Sequence, residues 1–154
     1  MLVREAETAD IPALVALRMG LFCEVGELDT PDGDPALWQA TRDYFTQAME
    51  EGSARSWVVE TEGTLVACGT LALFVRPPYP GNLSGREGYV LNIVTLPAWR
   101  RRGLAGALLD AMLVYAREQQ LGKLWLHASD EGRALYERRG FVANPAYLEW
   151  SPAG

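Results

Sequence analysis

The sequence predicts a single α/β domain over residues 1–154, with a mixed, mostly antiparallel central sheet flanked by helices. A strand, turn and helix between residues 89 and 120 lead into another apolar run, which is typical of a parallel strand pair joined by a helical crossover. Two earlier strand-like runs flank Glu62-Gly63, a pair typical of the tight turn in an antiparallel hairpin. With 154 residues, of which 49% are hydrophobic, the chain can form one compact core and is short for two.

The N-terminal part is predicted to form one short strand, Leu2–Arg4, and two helices. Apolar residues from Ile11 to Val25 recur at helical spacing, and Thr8 and Asp10 are candidate N-caps for this first helix. The turn-rich segment 29–35 contains two prolines and three acidic residues and separates the helices. The second helix is predicted over 36–51.

The middle of the chain is predicted to be three strands and a proline-rich loop. Residues 56–60 and 64–75 form the hairpin on either side of Glu62-Gly63. The following loop, 76–82, contains three prolines, which cannot donate to a strand ladder. The central strand is then predicted over 87–95.

The C-terminal part is predicted to continue with a helix from Gly103 to about Gln120. A short parallel strand comes next at 123–128, and Ser129-Asp130 is predicted to cap a last helix over 131–139. Tyr147 to Trp150 is predicted to add a final strand.

Composition excludes several classes of function. The net charge of −6 argues against a nucleic-acid partner, because phosphate backbones are bound by basic surfaces. Apolar runs are too short to span a bilayer and the first residues do not resemble a signal peptide, so we expect a cytoplasmic protein without a membrane partner. Cys23 and Cys68, interpreted as buried thiols, and one histidine, His127, give no cluster for a metal site.

The turn before the third predicted helix has the chemistry of an anion site. The first N–H groups of a helix lack carbonyl partners, and the helix dipole adds positive potential there. Gly103, Ala105, Gly106 and Ala107 carry little or no side chain, so a phosphate can approach the backbone. The basic triplet 100–102 adds three positive charges, and a diphosphate is therefore the expected guest. The alternative is a solvated charge run beside an ordinary turn.

Two motifs in this region resemble one family. Arg100-x-x-Gly103-x-Ala105, preceded by a strand and Pro97, resembles the acyl-coenzyme A pyrophosphate loop of the GCN5-related N-acetyltransferase (GNAT) family. The run 135–141, Leu-Tyr-Glu-Arg-Arg-Gly-Phe, resembles the family's C-terminal motif Leu-Tyr-x-x-x-Gly-Phe and matches it completely. The two motifs occur in the family's order, separated by one helix and one strand.

The resemblance implies the GNAT fold, acetyl-coenzyme A as cosubstrate and no metal. It implies that Tyr136 protonates the departing thiolate, the alternative being a ring that packs in the core and hydrogen-bonds the coenzyme A sulfur. Main-chain groups of Ile93 and Val94 are implied to pair with pantetheine, and Ser129 is either a partner of the pantetheine arm or a helix cap. The residues implied to bind the cofactor are Ile93, Val94, Arg100, Arg101, Arg102, Gly103, Leu104, Ala105, Gly106, Ala107, Ser129 and Tyr136.

The acceptor amine must lose a proton before it attacks, and no base is evident. Glu24 and Glu87 are candidates, and each is alternatively a solvated surface charge. Asn92, polar within an apolar strand, is a candidate catalytic and substrate-binding residue, or else it satisfies the backbone of a neighbouring strand. His127 ends a strand near the expected thiol site, although a structural histidine is the commoner case.

We expect segments 22–30 and 77–86 and the chain near Tyr147 to form the acceptor pocket, with Glu24 as a substrate-binding candidate.

Taken together, the motifs predict transfer of an acetyl group from acetyl-coenzyme A to an amine of a small molecule or peptide. The rival interpretation is a non-catalytic acyl-coenzyme A-binding or sensing module. A homodimer is also expected, because C-terminal strands of such domains often expose an edge.

Overall fold

The computed structural model describes residues 2–152, which form a five-stranded sheet flanked by four α-helices. The strands are β1 (Leu2–Glu5), β2 (Ala54–Thr61), β3 (Thr64–Val75), β4 (Arg86–Thr95) and β5 (Lys123–Leu126). The helices are α1 (Ile11–Glu24), α2 (Pro35–Glu51), α3 (Leu104–Glu118) and α4 (Arg133–Glu137), and short 3-10 turns precede α1 (Thr8–Asp10) and α3 (Pro97–Trp99).

The strands lie in sequence order, β1-β2-β3-β4-β5. The first four pair antiparallel, and β4 pairs with β5 in parallel through the α3 crossover, so the predicted mixed, mostly antiparallel sheet is confirmed. The β2–β3 hairpin turns at Glu62 and Gly63, whose φ angles of 50° and 78° suit a tight hairpin turn.

Helices pack on both faces of the sheet, and each face has its own hydrophobic cluster. On one face, Leu108, Leu109 and Met112 of α3 are fully buried against the sheet, in a cluster that includes Leu71 and Val90. The opposite face is covered by α1 and α2 through a second cluster. Burying a leucine or methionine side chain contributes about 1.5–3 kcal/mol, so packing along α3 is strong enough to fix where its N-terminus lies.

A bulge distorts the middle of β4. The β3–β4 register shifts between Cys68 and Thr70, which pair with Val94 and Leu91 respectively, so β4 accommodates an extra residue there. Asn92 lies in this bulge with φ 57°, a left-handed conformation that asparagine tolerates better than most residues. The bulge turns the Asn92 side chain toward α1.

The predicted final strand at Tyr147–Trp150 is wrong. The described segment after Phe141 contains no regular structure, and Leu148 is 95% exposed. Pro145 lacks an N–H donor, and the Asn144 side chain accepts a hydrogen bond from the Ala146 N–H, which favours a local turn over a strand ladder.

The predicted last helix is too long at both ends. The Ser129 hydroxyl accepts the Gly132 N–H at 3.1 Å and the Ser129 carbonyl accepts the Arg133 N–H, so a turn occupies 129–132 and α4 begins only at Arg133. Ser129 therefore holds this turn and is not the N-cap of the helix.

Two smaller expectations near the N-terminus are also corrected. Asp10 does not cap α1 through its side chain, because its carboxylate accepts the Glu7 N–H and pairs with Arg4 at 2.8 Å. Thr8 lies in the preceding 3-10 turn. Cys68 is buried as expected, but Cys23, in the last turn of α1, is only half-buried.

Candidate active site

The two parallel strands diverge and open a wedge in the sheet. Pairing between β4 and β5 covers only Glu87–Val90 and Lys123–Leu126. Beyond it, residues 91–95 of β4 have no partner in β5, because the chain leaves the sheet at His127. We call the space between residues 91–95 and 127–129 the wedge. Ile93 and Val94 lie along it, with a β4 edge available for an extended ligand with amide groups.

The N-terminus of α3 carries free amides. Gly103 precedes the helix with φ 79°, and no side chain of residues 2–152 caps the helix N-terminus. The first helical hydrogen bond at this end runs from the Ala107 N–H to the Gly103 carbonyl at 3.0 Å, so the N–H groups of Leu104, Ala105 and Gly106 come before the helical ladder. An anion placed here meets open donors and the positive end of the helix dipole.

The three arginines of this turn have different surroundings, although all are exposed. Arg100 donates through Nε to the Thr95 carbonyl at 3.0 Å, and its guanidinium pairs with Glu24 at 2.5 Å. The Arg102 guanidinium lies over the Trp99 ring at 4.6 Å. Hydrogen bonding to Arg100 lowers the pKa of Glu24, so this carboxylate is ionised and paired with an arginine of the turn before α3.

The residue Arg139, which follows α4, contacts α3 beside Gly106. Arg139 pairs with Asp110 of α3 at 2.7 Å, and this hydrogen bond lowers the pKa of Asp110. A Cβ atom on Gly106 would lie 2.6 Å from Arg139 Nη2, so the arginine crosses α3 where no side chain intervenes. This contact helps to place Tyr136 relative to the wedge.

Tyr136 is half-buried on the α3 side of the sheet. Its ring meets Phe141 with a centroid distance of 5.9 Å, and burial raises the pKa of its phenol, which therefore stays protonated at neutral pH. Tyr136 lines an open groove of about 930 Å³ that runs along β5 and also includes Trp125, His127 and Tyr147. Both interpretations of Tyr136, core packing and proton donation, are compatible with this position.

An aromatic cluster lies at the end of β5 and includes the single histidine. The Tyr89 hydroxyl is hydrogen-bonded to His127 Nδ1. The Tyr89 and Trp125 rings lie 4.6 Å apart, and the His127 and Tyr147 rings lie 4.8 Å apart. Sequence reasoning named His127 but missed the cluster. The sequence feature that indicates the cluster is the spacing of Trp125 and His127, because residues two positions apart lie on the same face of a strand.

Asn92 links α1 to the strands. Its Oδ1 accepts a hydrogen bond from Arg18 Nη1 at 3.3 Å, while its backbone carbonyl accepts the Cys68 thiol at 3.5 Å. Burial raises the pKa of the Cys68 thiol to about 12, so this sulfur is not a nucleophile at neutral pH. Arg18 was missed, because nothing in the sequence indicates that a residue 74 positions away faces the bulge.

The two acidic base candidates occupy contrasting positions. Glu24 is exposed, as a surface charge would be, and Arg100 holds it. Glu87 has a side chain that is only 1% exposed, so its interpretation as a surface charge is wrong. The Tyr79 hydroxyl hydrogen-bonds Glu87 Oε2, and Arg76 Nε lies 3.4 Å from the same oxygen. Because these partners come from the β3–β4 loop, the burial of Glu87 was not evident from its place in β4.

The side chains that commonly bind metals are scattered over residues 2–152. No group of three or more histidine, cysteine, aspartate or glutamate side chains within that range could hold a metal ion. In the same part of the chain, no helix is both long and apolar enough to cross a membrane.

Comparison with known proteins points to one family. The sequence model of the acetyltransferase (GNAT) family matches residues 22–141, which is more than half of the chain. This range includes the wedge, the α3 N-terminus and α4. A comparison with curated proteins found no match.

Solved structures agree in fold. A predicted acetyltransferase from Clostridium acetobutylicum, solved with acetyl-CoA, is 29% identical with a TM-score of 0.87, over 97% of this chain and 95% of that one. A GCN5-related N-acetyltransferase from Ralstonia eutropha JMP134 is 27% identical with a TM-score of 0.85, over 99% of both chains. Glucosamine-6-phosphate N-acetyltransferase from Arabidopsis thaliana shares the fold at 17% identity, with a TM-score of 0.74 over 98% and 97% of the two chains.

Proposed function

Because the chain belongs to the GNAT acetyltransferase family, we propose that it transfers an acetyl group from acetyl-coenzyme A to an amine by direct attack on the thioester. The observation that carries this proposal is the end of β4–β5 pairing at Val90 and Leu126, beside the open amides of α3. The wedge can take an extended amide-containing arm while the α3 N-terminus takes a diphosphate. The similar Clostridium acetobutylicum protein was solved with acetyl-CoA, which supports the choice of donor.

We assign the cofactor to the wedge and to α3. Backbone groups of Ile93 and Val94 would pair with the pantetheine amides, and the amides of residues 103–107 would hold the diphosphate. Arg101 and Arg102 supply positive charge, whereas Arg100 would exchange part of its contact with Glu24 for phosphate. Ser129 lies at the far side of the wedge, where its hydroxyl already accepts the Gly132 N–H and keeps a proton to donate.

Tyr136 is assigned as the proton donor to the departing thiolate. A phenol whose pKa is raised by burial remains protonated at neutral pH, so it can donate without first being charged. The thiolate must be neutralised as the carbon–sulfur bond breaks. Tyr136 packs on the α3 side of the sheet. His127 lines the same groove as Tyr136, so one groove offers a group for the leaving thiolate and a group for the incoming amine.

We assign His127 as the group that takes the amine proton. When Nδ1 donates its hydrogen to the Tyr89 oxygen, Nε2 presents a lone pair, and imidazole is well suited to proton transfer near neutral pH. The carboxylates of Glu24 and Glu87 are both held by arginines. Glu24 is the last residue of α1, and we keep it as a contact on the acceptor side, together with Asn92.

An amine screen tests the transfer. The protein is incubated with acetyl-coenzyme A and one of spermidine, 2-phenylethylamine, L-phenylalanine, glucosamine 6-phosphate or a peptide with a free α-amino group, and released thiol is measured. We expect amine-dependent thiol release with at least one acceptor. Tight binding of coenzyme A without amine-dependent release from any acceptor would instead favour the sensing module, to which the arginine-held acids also lend support.

The open edge of β5 supports a proposal of homodimerisation. β5 pairs with β4 on one side, and among the described residues no strand pairs with its other side. An uncovered edge favours pairing with another copy of the chain. Light scattering at several protein concentrations should give the mass of a dimer, and a monomer mass throughout would contradict this proposal.

A further inference from the structure

Arg18 of α1 holds a half-buried positive charge without an ion-pair partner among residues 2–152. Its one hydrogen bond among residues 2–152 runs from Nη1 to Asn92 Oδ1 at 3.3 Å, and its guanidinium lies 4.8 Å from the centre of the Phe22 ring. Within the same range, no aspartate or glutamate oxygen lies within 4.0 Å of this guanidinium, whereas carboxylates lie that close to six other arginines: Arg4, Arg55, Arg76, Arg100, Arg133 and Arg139.

This charge is costly to hold. Burial lowers the pKa of Arg18, and Tyr44, Cys68 and Glu27 oppose this only partly. A guanidinium nevertheless keeps its proton in proteins, so Arg18 remains a cation. It has five N–H donors, of which one has an acceptor in the described part of the chain. A half-buried cation whose other donors have no acceptor in residues 2–152 fits an incoming anion, and the planar guanidinium matches a carboxylate or a phosphate with two parallel hydrogen bonds.

The position of Arg18 connects it to the reaction. Its partner Asn92 is the bulge residue of β4 and directly precedes Ile93 and Val94, the residues that the proposed function places along the thioester arm. Arg18 approaches this bulge from α1, on the face of the sheet opposite α3. An anion bound by Arg18 would therefore belong to the acceptor and not to the diphosphate of coenzyme A.

We propose that the acceptor amine belongs to a molecule that also carries a carboxylate or a phosphate, and that Arg18 binds this anion. The inference rests on the proposed function and narrows its substrate class. The anion would use the free donors of Arg18, while Asn92 and the Phe22 ring keep the guanidinium oriented. An amino acid and an amino-sugar phosphate share this chemistry, and they form the two arms of the test.

Matched acceptors with and without the anion provide the test. One pair is L-phenylalanine and 2-phenylethylamine, and the other is glucosamine 6-phosphate and glucosamine. Thiol release gives kcat and KM for wild type, Arg18→Gln and Arg18→Lys. Arg42→Gln is the control, because Arg42 is an exposed arginine of α2 that also lies over an aromatic ring, Trp38 at 5.8 Å.

For at least one pair, we expect wild type to prefer the anionic member by about 10- to 100-fold in kcat/KM, the range given by charge-assisted hydrogen bonds. Arg18→Gln should remove the preference mainly through KM, Arg18→Lys should keep part of it, and Arg42→Gln should leave it unchanged. Equal use of both members by wild type would overturn the inference while leaving acetyl transfer intact. Equal losses on both members in Arg18→Gln would also overturn it, because they would indicate a structural role.

A binding measurement separates this inference from the proposed function. Thermal unfolding is followed with coenzyme A plus L-phenylalanine or glucosamine 6-phosphate. If wild type releases no thiol with any amine but either anionic compound raises Tm in wild type and not in Arg18→Gln, transfer is refuted and the anion site stands. If neither compound raises Tm and no preference is seen in turnover, the anion site is refuted.

Discussion

Val90 is the last residue of β4 that pairs with β5, and its partner Leu126 is the last residue of β5. The parallel ladder thus ends on both strands at the same step. Immediately beyond this step lie the bulge at Asn92 on β4 and the imidazole of His127 after β5. The divergence of the strands therefore brings an unpaired strand edge, a helix N-terminus and an imidazole to one region of the molecule.

Ala105→Glu should weaken coenzyme A binding. Ala105 lies in the first turn of α3, where a glutamate suits the helix dipole and so does not disturb folding, but its charge repels a diphosphate. We expect the Kd for coenzyme A to rise by at least about tenfold, measured by isothermal titration calorimetry. Val114→Glu is the control, because Val114 is a half-exposed residue further along the same helix. An unchanged Kd in Ala105→Glu would contradict the placement of the diphosphate.

Ala105→Glu is a cleaner test than a charge introduced at Gly103. Gly103 has φ 79°, so any side chain there would strain the backbone and confuse electrostatic repulsion with misfolding. Comparable melting temperatures for Ala105→Glu and wild type without ligand would show that the fold is retained.

Tyr136→Phe should lower kcat without changing coenzyme A affinity. The substitution removes only the hydroxyl and keeps the ring that packs against Phe141. Loss of a general acid gives a reduction of about 10²-fold in kcat. Tyr115→Phe, a second partly buried tyrosine that packs on Trp57, is the control and should retain wild-type turnover. Wild-type turnover in Tyr136→Phe would assign the ring to packing alone.

His127→Gln should also lower kcat, by about 10²-fold, because the amide cannot accept the amine proton. Added imidazole should restore part of the rate by entering the exposed end of the groove. Tyr89→Phe should reduce kcat less, since it leaves the imidazole but removes the partner that orients it. If His127→Gln turns over as fast as wild type, the proton leaves by another route.

Gly85→Ala should destabilise the fold through the loop that encloses Glu87. Gly85 has φ 69°, and a Cβ atom there would lie 1.8 Å from the Arg76 carbonyl oxygen. A backbone clash of this kind lowers the free energy of unfolding by about 3 kcal/mol or more, measurable by urea denaturation. Gly81→Ala is the control, because Gly81 also has positive φ but nothing lies within 4 Å of its Cβ position. Equal losses in the two variants would mean that the clash is relieved by movement of the loop.

Local patterns in the sequence predicted most of the fold. The bounds of β3 were predicted correctly, because a turn pair and a proline-rich loop mark its two ends. The order β4, α3, β5 was predicted from apolar spacing and the glycine at the α3 N-terminus. The final strand at 147–150 was predicted from side-chain type alone, but a strand also requires a neighbouring strand to pair with, and none of the described residues provides one.

Parts of the candidate site depend on contacts between residues that the sequence alone does not bring together. Glu87 is buried because Tyr79 and Arg76 fold over it from the β3–β4 loop. Arg18 faces Asn92 only because a bulge turns that asparagine toward α1. The proposed phosphate turn, by contrast, is built from consecutive residues, so a sequence motif can predict a cofactor side more readily than an acceptor side.

The proposed function requires this protein to carry an acetyl group from coenzyme A to an amine. Its most direct test is mass spectrometry of the acceptor after incubation with acetyl-coenzyme A that bears a deuterated acetyl group. We predict that the acceptor gains the labelled acetyl group at its amine with wild type, and far more slowly with Tyr136→Phe. If every acceptor tested stays unlabelled while wild type binds acetyl-coenzyme A, the protein does not transfer the acetyl group to these amines and the proposed function is contradicted.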